Sequence, residues 1–202
     1  NEAESVLLFF ACRAGGMTLC PLNWRLAPPE LGAVLSDFRP ALLVHGAAFS
    51  ADAATLAEAC GARVLSTSDL ADARAGAADP GPTRRPPEPE SVPLVLYTSG
   101  TTGRPKGAML PNRMLDANAV QTLLGWNLGP EDSTVSAAPL FHTGGWNVMT
   151  LPLLAAGGSL GGARPKAGVL DAQGSLWIAK FPSRNDDLDI GSWEYLAHEL
   201  AR

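Results

Sequence analysis

The sequence predicts an α/β fold in which a mostly parallel sheet is flanked by helices. Apolar, strand-like segments alternate with helical segments along most of the chain, an order that is typical of βαβ units. Hydrophobic residues make up 46% of the 202 residues, which is enough for a globular domain with a core. One buried strand, at residues 94–97, runs directly into a loop rich in glycine and hydroxyl groups.

Upstream of this loop, short apolar segments and amphipathic segments take turns. The predicted strands are residues 17–22, 41–44 and 63–66. The predicted helices are residues 4–12, a segment that begins at Pro28, and residues 51–60. Glycines are expected to end two of these helices, at Gly15 and Gly16 and at Gly61, because glycine readily takes the left-handed conformation of a helix end. The proline-rich residues 79–93 are interpreted as a surface loop within one domain.

Downstream of the loop, Asn112 is the predicted N-cap of a helix that runs to about residue 124 and ends at Gly125. Residues 133–138 form the next predicted strand, and His142 follows it. Ligands of open α/β sheets bind beyond the carboxyl ends of strands, so His142 is expected near the place to which the glycine-rich loop points. The alternative is an exposed histidine in a turn that starts a helix.

The composition of the loop is suited to a polyphosphate. Glycine lets backbone N–H groups approach a ligand closely, and successive N–H groups form an anion-binding nest. Threonine and serine hydroxyls add neutral donors, and Lys106 adds a compact positive charge. The loop is not the standard P-loop, because Pro105 and Gly107 stand where that motif needs glycine and a metal-binding hydroxyl. The candidate nucleotide-binding residues are Thr98, Ser99, Gly100, Thr101, Thr102, Gly103, Lys106 and Gly107.

Residues 97–107 resemble, at nearly every position, the phosphate-loop signature of adenylate-forming enzymes, a family that includes acyl-CoA synthetases, luciferases and peptide-synthetase adenylation domains. Residues 15–26 also resemble the segment that these synthetases carry upstream of the loop. The resemblance implies ATP, Mg²⁺ and coenzyme A as cofactors and a carboxylic acid as substrate. It makes Lys106 and His142 the candidate catalytic residues, with His142 lining the acyl pocket beside the reacting carboxylate.

The resemblance to this family continues to about residue 158, so residues 1–158 are interpreted as a partial AMP-binding domain that is truncated at its N-terminus. The family's later motifs find no counterpart in the remaining residues, and they include the adenine-stacking aromatic residue, the ribose-binding aspartate and the C-terminal lysine. Apolar residues after His142 are compatible with an acyl tunnel or with ordinary core packing. They are Trp146, Val148, Met149, Leu151, Leu153 and Leu154.

Residues 159–202 resemble a different family. A glycine-rich turn, a predicted hairpin over residues 169–181 that carries Lys180, and a helix containing Glu194 follow in the order used by kinases. The segment resembles HipA-type serine/threonine kinases, and by that resemblance Lys180 is a candidate nucleotide lysine. A peripheral hairpin and helix without a nucleotide role is the alternative. A junction near residues 157–160 is compatible with a natural fusion or with an artefact.

Net charge, cysteine number and the length of apolar runs limit the possible partners and locations of the protein. The net charge of −5 argues against a nucleic-acid partner. The three cysteines are an odd number at no metal spacing, so a reduced, cytoplasmic location and no metal site of cysteines are expected. No apolar run approaches the roughly 18 residues of a membrane span.

The sequence therefore predicts a partial ATP-dependent, carboxylate-activating domain that is catalytically incomplete in these 202 residues. Three alternatives stay open at this point. They are a nucleotide-binding module without turnover, a kinase-like fragment, and a fusion remnant without a ligand.

Overall fold

The computed structural model describes residues 3–75, 87–98, 104–157, 159–160, 166–170 and 176–180. The helices of these residues are α1 (Ala3–Gly15), α2 (Pro28–Phe38), α3 (Ser50–Cys60), α4 (Thr67–Ala75), α5 (Asn112–Trp126), α6 (Thr143–Asn147) and α7 (Thr150–Ala155), with a 3₁₀ turn at Ala47–Phe49. None of these helices is long and apolar enough to cross a membrane.

The strands are β1 (Leu42–His45), β2 (Arg63–Ser66), β3 (Leu94–Thr98), β4 (Lys106–Leu110), β5 (Ser133–Thr134), β6 (Ser159–Leu160), β7 (Lys166–Leu170) and β8 (Leu176–Lys180). Within the described residues they form four two-stranded sheets, of which β1–β2 and β5–β6 are parallel and β3–β4 and β7–β8 are antiparallel. Helix α3 provides the crossover that a parallel β1–β2 pair needs, whereas the antiparallel strands β3 and β4 are separated in the chain only by residues 99–105. The predicted α/β class is confirmed, but the described strands form small parallel and antiparallel pairs and not the mostly parallel sheet that was predicted.

Two predicted strands are much shorter than expected. Of residues 17–22, only Leu19 joins a ladder, as a single parallel bridge to Leu94. Pro21 has no N–H to donate, so the pairing cannot continue through it. The strand predicted over residues 133–138 consists of Ser133–Thr134 alone, because the N–H of Ala137 turns back to the carbonyl of Val135 at 3.0 Å.

Two predicted ends of α5 are also wrong. The N-cap is Pro111, while Asn112 is the first helical residue and is buried. The Asn112 amide donates to the carbonyl of Glu88 at 2.9 Å and to Ser91 Oγ at 2.8 Å, so this side chain ties the helix to an earlier segment. The helix ends at Asn127 with φ 53°, not at Gly125, since asparagine also tolerates the left-handed region. The predicted cap at Gly61, with φ 72°, is confirmed.

The largest core cluster joins helices from both halves of the described chain to the strand that precedes the glycine-rich loop. Its buried members are Phe9, Leu94, Leu96, Leu115, Leu140, Trp146 and Leu151. An ion pair also connects helix α1 to α5: Arg13 Nη2 donates to both carboxylate oxygens of Asp116, at 2.6 and 2.7 Å. Strand β3, which directly precedes the glycine-rich residues, is therefore anchored in this core cluster.

The hairpin predicted in the last part of the chain is present but begins earlier than expected. It consists of β7 and β8, and Lys166 lies opposite Lys180 in its ladder. Among the described strands it pairs only with itself. Ser159 and Leu160 pair instead with β5 of the first part. The predicted helix with Glu194 lies outside the described residues.

Candidate nucleotide-binding site

Strand β3 positions the start of the candidate loop. Leu94 and Leu96 are buried in the core cluster, while Thr98 at the end of the strand is exposed. An additional constraint comes from Leu19, whose N–H donates to the carbonyl of Pro93 at 2.8 Å and whose carbonyl accepts from Val95 at 2.9 Å. The strand is therefore fixed by apolar packing on one side and by backbone hydrogen bonds from an earlier segment.

Lys106 is the first residue of β4 and not, as predicted, part of the loop. It lies opposite Thr98 in the last pair of the β3–β4 ladder, and both residues are exposed. The antiparallel ladder pairs residues 106–110 with all five residues of β3, so it includes Lys106. Thr98 and Lys106 are thus directly paired across the hairpin at the base of the loop, which places their side chains on the same face. Ser99, Gly100, Thr101, Thr102 and Gly103, which were predicted to bind nucleotide, lie outside the described residues.

Gly107 has a packing reason for being glycine. It pairs with Tyr97, and a Cβ at this position would lie 3.0 Å from Val95 Cγ1 and 3.1 Å from Tyr97 Cζ. Such contacts are tighter than side chains normally make, so a Cβ here would require Val95 or the Tyr97 ring to shift. The ring therefore covers the backbone of β4 one residue away from Lys106.

Tyr97 also connects this hairpin to helix α2. Its hydroxyl donates a hydrogen bond to Asp37 Oδ2, in the last turn of α2. Burial raises the pKa of Tyr97 above its usual value, and the hydrogen bond to Asp37 and the charge of that carboxylate raise it further. The phenol is therefore neutral at ordinary pH and able to donate.

His142 lies at the N-cap of α6 and is exposed. Its backbone N–H donates to the carbonyl of Pro139 at 3.1 Å, and its backbone carbonyl accepts from the N–H of Gly145 at 3.0 Å. Backbone hydrogen bonds therefore connect His142 to the residues before and after it. Its ring packs on Phe141, with 4.8 Å between the ring centroids. His142 therefore lies in an exposed turn at the start of a helix, and the strand before it ends at Thr134, not at residue 138 as predicted.

The core cluster connects the two motifs. Leu94 and Leu96 of β3 share it with Leu140 and Trp146, which flank His142 in the chain. The indole N–H of Trp146 donates to the carbonyl of Leu140, which fixes the turn that carries His142. Four of the apolar residues considered for an acyl tunnel are buried in the core, namely Trp146, Leu151, Leu153 and Leu154. Val148 is exposed and Met149 is half-buried.

Arg25 is a residue that the sequence left without a role. Its guanidinium lies 5.1 Å from the Trp24 ring and 6.0 Å from the Phe141 ring, so the segment before α2 reaches the turn of His142. In the sequence, Arg25 stands next to Trp24, which suggests a local cation–π contact, but nothing there indicates the contact with the distant Phe141. Lys180, by contrast, ends β8 in a separate sheet, and no described strand pairing brings it to β3 or β4.

Two half-buried thiols, Cys12 and Cys20, are expected to make the free energy of unfolding depend on pH. Burial raises the pKa of Cys12 from 9.0 to about 11 and that of Cys20 from 9.0 to about 12. Because the folded pKa lies above the unfolded one, both thiols favour folding below pH 9, and this contribution is lost as the pH rises through 11 and 12. We expect the free energy of unfolding to fall above pH 9 more steeply in the parent chain than in a Cys12→Ala/Cys20→Ala variant.

Urea unfolding at a series of pH values up to about 11 measures this difference. Cys60→Ala is the matched control, because it removes a thiol and leaves Cys12 and Cys20, the two with a raised pKa, in place. Identical slopes for the parent and the double variant would contradict the expectation.

An α/β unit in which a core strand is followed by glycine- and hydroxyl-rich residues and a lysine is the arrangement expected of a nucleotide-phosphate-binding type of domain. Comparison with known families identifies it further: residues 1–180 match the AMP-binding enzyme family. The chain belongs to this family and is a partial, acyl-CoA-ligase-like domain of it.

Curated relatives include a feruloyl-CoA synthase from Amycolatopsis sp, which is 38% identical over 160 residues, covering 79% of this chain and 31% of the relative. An indoleacetate–CoA ligase from Aromatoleum aromaticum is 36% identical over 172 residues, covering 79% of this chain and 33% of the relative. The chain thus spans about a third of the length of these relatives.

Solved structures give the same result. ATP-bound MatB from Rhodopseudomonas palustris superposes with a TM-score of 0.69 at 32% identity, covering 79% of this chain and 33% of that protein. The apo form of the same protein gives a TM-score of 0.69 at 31% identity, with the same coverage. The kinase resemblance of residues 159–202 receives no support from these comparisons, and the family match itself continues to residue 180.

Proposed function

We propose that the chain contributes the ATP-phosphate-binding part of an enzyme that activates a carboxylic acid as an acyl-adenylate and transfers it to coenzyme A. The observation that carries this proposal is the Thr98–Lys106 pair, which closes the base of the glycine-rich loop on a strand anchored in the core. A cation and a hydroxyl held at one end of a rigid hairpin are suited to neutralise and orient phosphate oxygens.

The described residues have distinct parts in this proposal. Lys106 attracts the phosphates by its charge, and Thr98 donates a neutral hydrogen bond beside it. His142, exposed at the start of α6 and connected to β3 through the core, would border the reacting carboxylate. The loop residues from Ser99 to Gly103 would supply further N–H and hydroxyl donors.

Mg²⁺ fits this site as an ion that arrives with the nucleotide. The described residues contain no group of three or more His, Cys, Asp or Glu side chains placed to hold a metal. Mg²⁺ in nucleotide sites is held mainly by phosphate oxygens and water, with few protein ligands. Bound there, it would offset phosphate charge together with Lys106.

The acyl substrate is proposed only as a carboxylic acid, since the relatives act, by their names, on acids as different as ferulate and indoleacetate. A cytoplasmic location also stays a prediction. Because the chain spans about a third of its relatives, we expect these 202 residues on their own to bind nucleotide without carboxylate-dependent ATP–pyrophosphate exchange. Exchange at rates normal for an enzyme would contradict this, and absence of ATP binding would favour a remnant without a ligand.

Replacing Lys106 with alanine tests the binding role. We expect the affinity for MgATP or pyrophosphate to fall about tenfold, because one charge-assisted contact of about 1.5 kcal/mol is lost. The side chain is exposed, so the free energy of unfolding should change by less than about 0.5 kcal/mol. Isothermal titration of the full chain measures the affinity.

Arg63→Ala is the matched control, because it removes an exposed cation from β2, in a different sheet. Lys180→Ala tests the kinase-like alternative for residues 159–202, which the comparisons with known proteins do not support. A loss from Lys180→Ala that equals or exceeds the loss from Lys106→Ala would favour that alternative.

A further inference from the structure

Tyr97 and Asp37 form a contact between two elements that are distant in the chain and that the proposed activity does not yet use. Tyr97 is the second-last residue of β3, one pair before the Thr98–Lys106 pair that closes the loop. Its hydroxyl donates to Asp37 Oδ2 on α2, 60 positions away in the sequence. The contact therefore joins the base of the candidate phosphate loop to a helix outside the hairpin.

The ring of Tyr97 is held from a second side. It lies over Gly107, its partner in β4, with Cζ 3.1 Å and Cε2 3.3 Å from the place where a Cβ would be. Leu94 and Leu96 hold β3 in the core, but they are further from the loop. Tyr97 is thus the described side chain that touches both β4 and α2 at the end of the hairpin where the loop begins.

The position of Asp37 is unusual for an acid. It lies in the last turn of α2, which contains no basic residue. A negative charge at the C-terminal end of a helix opposes the helix dipole, so this placement weakens the helix unless a donor compensates it. The Tyr97 hydroxyl donates to this carboxylate, while the C-cap residue Arg39 places a cation at the same helix end.

We propose that Tyr97 and Asp37 are positioning residues that hold the base of the phosphate loop in its binding geometry. The inference rests on the proposed function, since it concerns the same loop. A hairpin end that is fixed before the ligand arrives loses less conformational freedom on binding, which increases affinity without a new contact to the ligand. Removing the hydrogen bond would leave Thr98 and Lys106 paired and able to bind phosphate, but would free the end of the hairpin from α2.

Titration of the full chain with pyrophosphate in the presence of Mg²⁺ tests this inference. We expect Tyr97→Phe, which keeps the ring over Gly107 and removes only the hydroxyl, to bind about fivefold more weakly. Asp37→Ala should give the same loss from the other side, and the double variant should lose no more than either single variant. Asp37→Asn keeps an oxygen that accepts the hydrogen bond, so it should bind within about twofold of the parent chain.

The same titration separates a positioning role from a purely structural one. All variants are measured where urea unfolding shows that they are folded. A contact that only stabilises the fold would lower the free energy of unfolding and leave pyrophosphate affinity unchanged, which would overturn the inference. Ser36→Ala, an exposed neighbour of Asp37 on α2, is the matched control and should bind like the parent. Asp37→Ala also replaces an exposed residue, so it can be tested even if Tyr97→Phe folds poorly.

Failure of the inference can be told apart from failure of the proposed function. If Lys106→Ala weakens binding while Tyr97→Phe and Asp37→Ala do not, the loop binds phosphate but the tether is not needed, and only the inference fails. If the parent chain does not bind pyrophosphate, or if Lys106→Ala binds as well as the parent, the proposed function fails and the inference fails with it. Additive losses in the double variant would likewise overturn the tether.

Discussion

Replacing Gly145 with alanine is expected to destabilise the chain by about 3 kcal/mol, whereas the same change at the adjacent Gly144 should leave stability unchanged or slightly increased. A Cβ on Gly145 would lie 2.3 Å from the carbonyl oxygen of Pro139, 2.7 Å from its carbon and 3.0 Å from the carbonyl oxygen of Ala138. These are backbone atoms, so the clash cannot be relieved by rotating a side chain. Around Gly144 nothing lies within 4 Å of the corresponding position.

The clash would affect the candidate site as well as stability. Helix α6 would have to move away from residues 138–139, and the hydrogen bond from Gly145 to the carbonyl of His142 lies in that contact. Circular dichroism during urea unfolding of the two variants measures the stability difference. Equal stability of the Gly145→Ala and Gly144→Ala variants would show that α6 does not pack on residues 138–139 as described.

Trp146→Ala is expected to cost about 4 kcal/mol, while Trp126→Ala should change the free energy of unfolding by less than about 0.5 kcal/mol. Trp146 is fully buried, and its ring lies 5.0 Å from that of Phe9 in the cluster that also holds β3. Truncation removes this packing, leaves a cavity and deprives the carbonyl of Leu140 of its indole partner. Trp126 is 56% exposed at the end of α5 and has no comparable contacts to lose.

The pair of variants compares the same chemical change in two environments. Urea unfolding followed by circular dichroism is suitable for both, since fluorescence itself changes when a tryptophan is removed. Trp146→Phe restores much of the packing without the N–H and should fall between the parent chain and Trp146→Ala. A loss for Trp126→Ala as large as that for Trp146→Ala would contradict the assignment of the core.

The elements that the sequence predicted well are those whose signals lie in neighbouring residues. Helix α2 is one example, since it begins at Pro28 as predicted and buries its apolar residues Val34 and Leu35. The C-cap at Gly61 is another, because the need for a left-handed residue is local. Strand β2 has the predicted bounds of residues 63–66. The family resemblance of the first part also depends on a contiguous motif.

The errors arise where a distant partner decides the outcome. Asn112 has the composition of an N-cap, but its amide is occupied by Glu88 and Ser91, so Pro111 takes that place. Lys106 follows a glycine-rich stretch and was therefore placed in the loop, yet pairing with Thr98 makes it part of a strand. No local pattern contains information about either partner.

The sequence by itself determined that this chain is an α/β protein with a phosphate-loop motif and a histidine after a later strand, because these features are written in contiguous residues. The tertiary structure alone decided that the loop is closed by Thr98 and Lys106, that its base is tied to Asp37 through Tyr97, and that Arg25 reaches the turn of His142. Each of these contacts joins residues that are separated in the chain, and the elements that carry them are held in two buried apolar clusters. Hydrophobic burial is non-directional, so the sequence signals which residues will be buried, whereas the packed structure decides which polar groups meet at its edge.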